Sequence, residues 1–182
     1  MSSIVEEVSQ DLRYPVGRFK APETILAEDR AAWIDTIEAF PGKLQATIQG
    51  LSDTQLNTPY RPAGWTVRQL VHHLADSHSN AVIRMRFALT EDAPTIMAYD
   101  EAVWALLPDA KEADPRSSLA LLRGLHERWT ILLRALDEQA FARTFRHPEL
   151  GERRIDWTLG LYAWHCRHHL AHITSLKARE RW

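Results

Sequence analysis

Four stretches of 3.6-residue apolar periodicity, set apart by Pro- and Gly-bearing segments, constrain this chain more than any other feature. Glycine is scarce, 7 in 182 residues, so long helices meet few interruptions. The first stretch, Glu23 to Gly50, places Leu26, Trp33, Ile34, Ile37, Leu44 and Ile48 near one stripe, and Pro41 inside it predicts a kink or break. Ser52 followed by Gln55 reads as the capping box of a short turn, and NTPYRPAG as a loop. Thr66 with Gln69 repeats that signature and opens a second helix to about Leu89. Asp114 followed by Pro115 opens a third, running to about Leu136. Asp156 is the expected cap of the last, from Trp157 to about Arg179, whose basic end suits the helix dipole. From Glu91 to Ala113 only a short helical patch, Glu101 to Leu107, stands out, and a connection of that length predicts a crossover. FARTFRHPELGERRI alternates on either side of a Pro/Gly turn and predicts a small β-hairpin. The fold class is all-α: a four-helix bundle with a long crossover and a small hairpin before the last helix.

Length suits a single domain spanning 1–182, with residues 1–22 as an extended N-terminal arm, and 45% hydrophobic residues suffice for its core. A net charge of -2 argues against a broad nucleic-acid or anionic-membrane surface. No apolar run approaches a membrane span, and MSSIVEEVSQDLRY does not read as a signal peptide, so a cytoplasmic protein is expected. The lone cysteine excludes an intrachain disulfide and a Cys-rich zinc site. With nine histidines against it, any metal must rest on imidazole.

The last helix carries WHCRHHLAH. His165 and His169 are four residues apart, hence on one face, where two imidazoles can converge on one ion. His172 lies on the same side one turn on, as a fourth ligand, a group supporting the ligands from behind, or a catalytic candidate. His168 is turned about a hundred degrees from His169 and is a poorer partner. A third ligand must come from another helix. HHLADSH offers His72, His73 and His78; His73 follows core-facing Leu70 by three residues, and His72 follows Val71. Bundle interiors are a usual place for such sites, and three histidines leave a position open for water or substrate. The opposing reading is that histidines near a helix C-terminus are solvated and complement its dipole. Asp76 is a candidate base or imidazole-orienting group, against an ordinary solvated carboxylate. Trp65 and Arg68 are candidate substrate contacts, against core packing and surface solvation. Cys166 reads as a buried inert thiol, and His126 and His147 as ordinary residues of a helix surface and the hairpin. The His pair lacks the Glu of H-E-x-x-H, so this is not a zincin.

The segments TPYRPAGWTVRQLVHHLADSHSN, DLRYPVGRFK and LGLYAWHCRHHLAHI, with YDEAVWALLPDA and DPRSSLALLRGLHERWT, are spread across nearly the whole chain. Together they resemble the YfiT-like branch of the DinB superfamily. The resemblance implies a DinB-type four-helix bundle with an unusual crossover, a homodimer, and one divalent ion per chain held by three histidines. In the family's motifs these correspond to His73, His165 and His169, with zinc or nickel as the metal. It also implies a small-molecule substrate and a metal-dependent hydrolase that activates water. The alternative is a thiol S-transferase using a low-molecular-weight thiol of bacillithiol, mycothiol or glutathione type. A non-catalytic, stress-related metal-binding bundle is the third reading. DNA binding fits poorly with the charge.

Overall fold

Side-chain oxygens set where the helices begin. In the computed structural model, which describes residues 11–182, Thr66 Oγ1 accepts the Gln69 N–H at 3.2 Å while Gln69 Oε1 accepts the Thr66 N–H at 2.9 Å. These start α3 (Val67–Thr90), and the same exchange between Ser52 and Gln55 starts the single turn α2 (Asp53–Leu56). Asp114, accepting the Arg116 N–H at 2.8 Å, and Pro115 at the first position start α6 (Pro115–Arg134). The crossover carries α4 (Glu101–Trp104) and α5 (Pro108–Glu112). A turn unforeseen in the sequence, α7 (Glu138–Ala142), is capped by Asp137 and precedes the expected hairpin of β1 (Thr144–His147) and β2 (Gly151–Arg154). The strands pair antiparallel from Thr144 opposite Arg154 to His147 opposite Gly151. The first ten residues of the expected N-terminal arm lie outside the described residues.

Two expectations need correction. Helix α1 (Ala27–Ile48) begins later than Glu23 and continues through Pro41 without a break. Proline has no N–H to give the carbonyl four residues back, which is that of Ile37. That oxygen instead lies 2.7 Å from Nδ1 of His126 on α6, so tertiary contact satisfies what the helix cannot. Asp156 is not a cap: α8 (Ile155–Glu180) starts after Arg154, and the fully buried Asp156 carboxylate accepts Nε and Nη2 of Arg154 at 3.0 and 2.6 Å. Buried Arg30 of α1 adds its charge at 3.8 Å. A carboxylate without water needs these cations.

Cross-helix contacts fix the topology. His72, His78 and Met85 of α3 meet Ser118, His126 and Trp129 of α6 in the same order along both chains, so the two helices run parallel. Arg30 and Thr47 of α1 likewise meet Asp156 and Lys177 of α8 in order. Ser77 and His78 of α3 meet Tyr162 and His165 of α8, with α1 packing between α6 and α8 and α3 closing the ring. Consecutive long helices α3 and α6 being parallel, the chain must travel the bundle's full length between them, which is the predicted crossover. It is pinned on the way by Arg68 and Gln69 of α3, whose side chains donate to the carbonyls of Ala113 (2.8 Å) and Ala105 (2.7 Å).

The core is apolar along its α1 and α6 walls, with Ile37, Leu44, Leu122, Trp129 and Leu133 at most 1% exposed. Gly160 lets α8 approach α1, since a Cβ there would sit 2.9 Å from the Trp33 ring. Among the described residues no helix is long and apolar enough to cross a membrane.

Candidate metal centre

Helix α3 brings His73, and successive turns of α8 bring His165 and His169, to one point. Nε2 of His165 lies 3.3 Å from Nε2 of His73 and 3.0 Å from Nε2 of His169. Two nitrogens sharing an ion at metal–nitrogen bonds of about 2.0–2.1 Å stand roughly 3.0–3.4 Å apart, so the spacing suits a common ion. Burial pushes the His73 pKa down to about 4, with His168 adding to it, and holds His165 and His169 well below the usual imidazole value. Neutral rings keep their lone pairs, which is the state a metal requires. His72 cannot share the role as it stands. Its Nε2–H donates to the Ala113 carbonyl at 3.0 Å and its Nδ1 lies 2.7 Å from the Ser118 hydroxyl, so both nitrogens are committed.

The three rings form the floor of a cavity of about 640 Å³. Aromatic groups wall it: Trp65 packs on His73 with centroids 4.6 Å apart, Tyr60 stacks on His172 at 4.2 Å, and Trp164 stacks on His168 at 4.4 Å. The crossover supplies Tyr99 and Glu101, and the hairpin supplies His147 and Glu149. Arg13 and Tyr14 come from the N-terminal segment, which is held over α8 by the Trp164 indole N–H donating to the Gly17 carbonyl at 3.0 Å. Burial raises the Tyr99 phenol to about 12, so it remains a donor at neutral pH. The arginines facing the cavity are Arg13, Arg61 and Arg84.

The other sequence candidates divide. Trp65 and His172 line the cavity. The His172 ring has Nδ1 3.4 Å from Nδ1 of His169, and its buried Nε2 has no hydrogen-bond partner among the described residues. His168, expected to be a poorer partner for the ion of the His165–His169 pair, lies outside that triad and joins His169 and His172 in a second cluster of three imidazoles. Arg68 lies outside the cavity: buried, it pairs with Asp53 and donates to Asn57 at 2.9 Å, bracing the crossover. Asp76 also lies off the cavity lining, half-buried near Asp109 and His72, with its carboxyl pKa raised by that burial and by Asp109. Cys166 is buried, and burial pushes its thiol far above the usual range. His126 is not on a helix surface; it is 1% exposed. With His78, wholly buried, it forms a contact chain to His165 that spacing along the sequence gave no means of finding.

Known proteins share this fold. The family model of the DinB superfamily matches residues 36–173. The chain is 51% identical over 175 residues to the Bacillus subtilis protein named "Putative metal-dependent hydrolase YfiT", covering 96% of this chain and 98% of that protein. The solved structure of YfiT, described as having an unusual four-helix bundle topology, superposes with a TM-score of 0.92 over 94% of this chain and 98% of that one. TT2238, described as a four-helix bundle protein, is 24% identical with a TM-score of 0.54, covering 82% of this chain and 98% of its own, and shares the fold alone.

Proposed function

The chain belongs to the DinB superfamily, and on that premise we propose that it is a metal-dependent hydrolase acting on a small molecule, with His73, His165 and His169 holding one divalent ion. The observation that carries this is the convergence of three Nε2 atoms from two helices on the floor of an aromatic-walled cavity. Three imidazoles suit zinc or nickel. When bound, such an ion lowers the pKa of water towards neutrality and polarises an oxygen of the substrate. The chain's own residues do the rest. Trp65, Tyr60 and Trp164 offer flat apolar walls that exclude bulk water and accept a planar or apolar substrate body. Tyr99 donates from a neutral hydroxyl, and Arg84, with its guanidinium 5.6 Å from the Tyr99 ring, favours a substrate carrying negative charge. His172 is the candidate base, since its ring lines the cavity beside His169.

A specific observation favours a second reading, a thiol S-transferase. The cavity's carboxylates are Glu101 and Glu149, carried by the crossover and the hairpin, and Asp76 is not among its lining groups. A site with no carboxylate set against its triad suits a nucleophile whose pKa a bound ion would lower far enough for its proton to leave to solvent, as with a thiol. Cys166 is buried away from the cavity lining, so the thiol would come from a low-molecular-weight cosubstrate.

Metal analysis of protein purified without an affinity tag tests the centre: one equivalent of divalent ion per chain is expected, and none in His169→Ala. A His169→Ala protein that keeps its metal overturns the assignment. Ester hydrolysis independent of added thiol supports the hydrolase; turnover of a model electrophile only with bacillithiol, mycothiol or glutathione supports the transferase.

A further inference from the structure

Deep in the bundle, three imidazoles from three helices stand in line. Nδ1 of His126 on α6 lies 2.7 Å from the Ile37 carbonyl, Nε2 of His126 lies 2.7 Å from Nδ1 of His78 on α3, and Nε2 of His78 lies 3.1 Å from Nδ1 of His165 on α8. We propose that His78 and His126 are positioning residues for the metal centre: the chain from the Ile37 carbonyl fixes the tautomer and orientation of His165 and turns its bare Nε2 toward His73 and His169. The proposal rests on the reading of that triad as metal-holding.

The direction of every hydrogen bond follows from the first. A carbonyl oxygen only accepts, so Nδ1 of His126 carries the proton. A neutral imidazole has one N–H, so Nε2 of His126 accepts and Nδ1 of His78 donates to it. Nε2 of His78 then accepts, and Nδ1 of His165 donates. One lone pair is left over, on Nε2 of His165, and it lies where the three Nε2 atoms meet. Reversing any single ring would set two protons or two lone pairs against each other at about 3 Å, with no water to relieve them. Burial keeps these rings neutral, lowering His126 to about 4 and His78 and His165 well below the usual imidazole value.

The anchor itself comes from the sequence. Pro41 has no N–H to offer the Ile37 carbonyl, so that oxygen, on the buried face of α1, is left for another donor. The rings are also clamped sideways. Phe40 lies 5.6 Å from His78 and 5.8 Å from His126, and Trp129 meets both edge-on. A ligand imidazole whose far N–H is held by an acceptor is more basic and less free to rotate, both of which strengthen metal binding.

Long-range proton–nitrogen correlation spectra of the full-length, metal-free protein at neutral pH read the tautomers directly. The expected result is Nδ1–H on His126, His78 and His165. An Nε2–H form or a cation at His78 or His126 overturns the proposal, whatever any variant does. Competition titration with Co²⁺ then compares the wild type with His78→Phe, which keeps the ring volume and removes both nitrogens. Affinity should fall roughly 10- to 100-fold and the visible cobalt spectrum should shift, with the helical circular dichroism retained. His78→Gln, whose amide oxygen accepts the His165 proton, should recover much of that loss. If His78→Phe does not fold, the wild-type tautomers and the His78→Gln titration decide. A folded His78→Phe with wild-type affinity sinks the chain's role while leaving the triad standing. His165→Ala separates the two failures: if it binds Co²⁺ as tightly as the wild type, the triad reading fails.

Discussion

The wall of the bundle between α1 and α6 and the wall between α3 and α8 obey the same helical periodicity but differ in how many imidazoles they bury. Ile34, Ile37, Phe40, Leu44, Leu122 and Leu133 close the first, with His126 as its single imidazole. The second carries His73, Ser77, His78, Tyr162, His165, His169 and His172. An apolar side chain is satisfied by any close-packed neighbour, so the first wall stabilises the fold without specifying a geometry at the atomic level. Each imidazole needs a particular donor or acceptor, so the second wall is specified ring by ring and leaves nitrogens over for a ligand. Stability and function are therefore expected to separate between the two walls. Leu44→Ala, at a fully buried site on α1, should cost about 2–5 kcal/mol of unfolding free energy in urea denaturation. The folded Leu44→Ala fraction should still bind one equivalent of metal. His169→Ala should show the reverse, losing the metal while the metal-free protein unfolds close to the wild-type midpoint. A Leu44→Ala protein that also loses its metal would break the division.

The same division explains what the sequence made legible. The capped starts at Ser52, Thr66 and Asp114, the crossover and the hairpin rest on local chemistry, and each is present in the structure. His165 and His169 were legible for the same reason, being four residues apart on one helix. His73 could be distinguished from His72 only through the family resemblance, because the discriminating contacts come from Ala113 and Ser118 across the crossover. His78 and His126 carried no local signal; they are 48 residues apart in the chain and only 2.7 Å apart in space. Pro41 predicts a kink or break, and the helix continues through it without a break, a donor on another helix taking the Ile37 carbonyl. The sequence suggests a cap at Asp156 and a substrate contact at Arg68; Asp156 instead lies in a buried ion pair with Arg30, and buried Arg68 pairs with the exposed Asp53, partners distant in the sequence.

The α1–α6 wall should respond to acid through one group. The hydrocarbon groups of the α1–α6 wall do not titrate, but His126 does. It faces His78 of α3 and, from α1, only the Ile37 carbonyl and the Phe40 ring. Its folded pKa is lowered to about 4, chiefly by burial, against 6.5 when unfolded. Between those values the unfolded chain binds the extra proton, so folding stability is full above about pH 6.5 and is lost as pH falls towards 4. This single group contributes on the order of 3 kcal/mol to that loss. Denaturation of the metal-free protein at pH 7 and pH 5 should show the decline, and His126→Gln should make it shallower. An unchanged slope in that variant would mean that His126 is already protonated in the native state or stays neutral in both.

The smallest effect tests whether the polar wall depends on its helix ends. Thr66 and Gln69 exchange two hydrogen bonds at the start of α3, seven residues before His73 and hence about two turns away. Thr66→Ala removes the acceptor for the Gln69 N–H and should cost about 1 kcal/mol in urea denaturation. The cost should stay in the first turn. His73 is held by Trp65 packing and by its place among the rings of α8, while Arg68 and Gln69 in the first turn and His72 in the second fasten α3 to the crossover. Cobalt affinity of the folded Thr66→Ala protein should therefore match the wild type within about twofold, since 0.4 kcal/mol is roughly a factor of two. A larger drop would show that fraying of α3 reaches His73, and that the metal-binding wall takes its precision from the cap as well as from its rings.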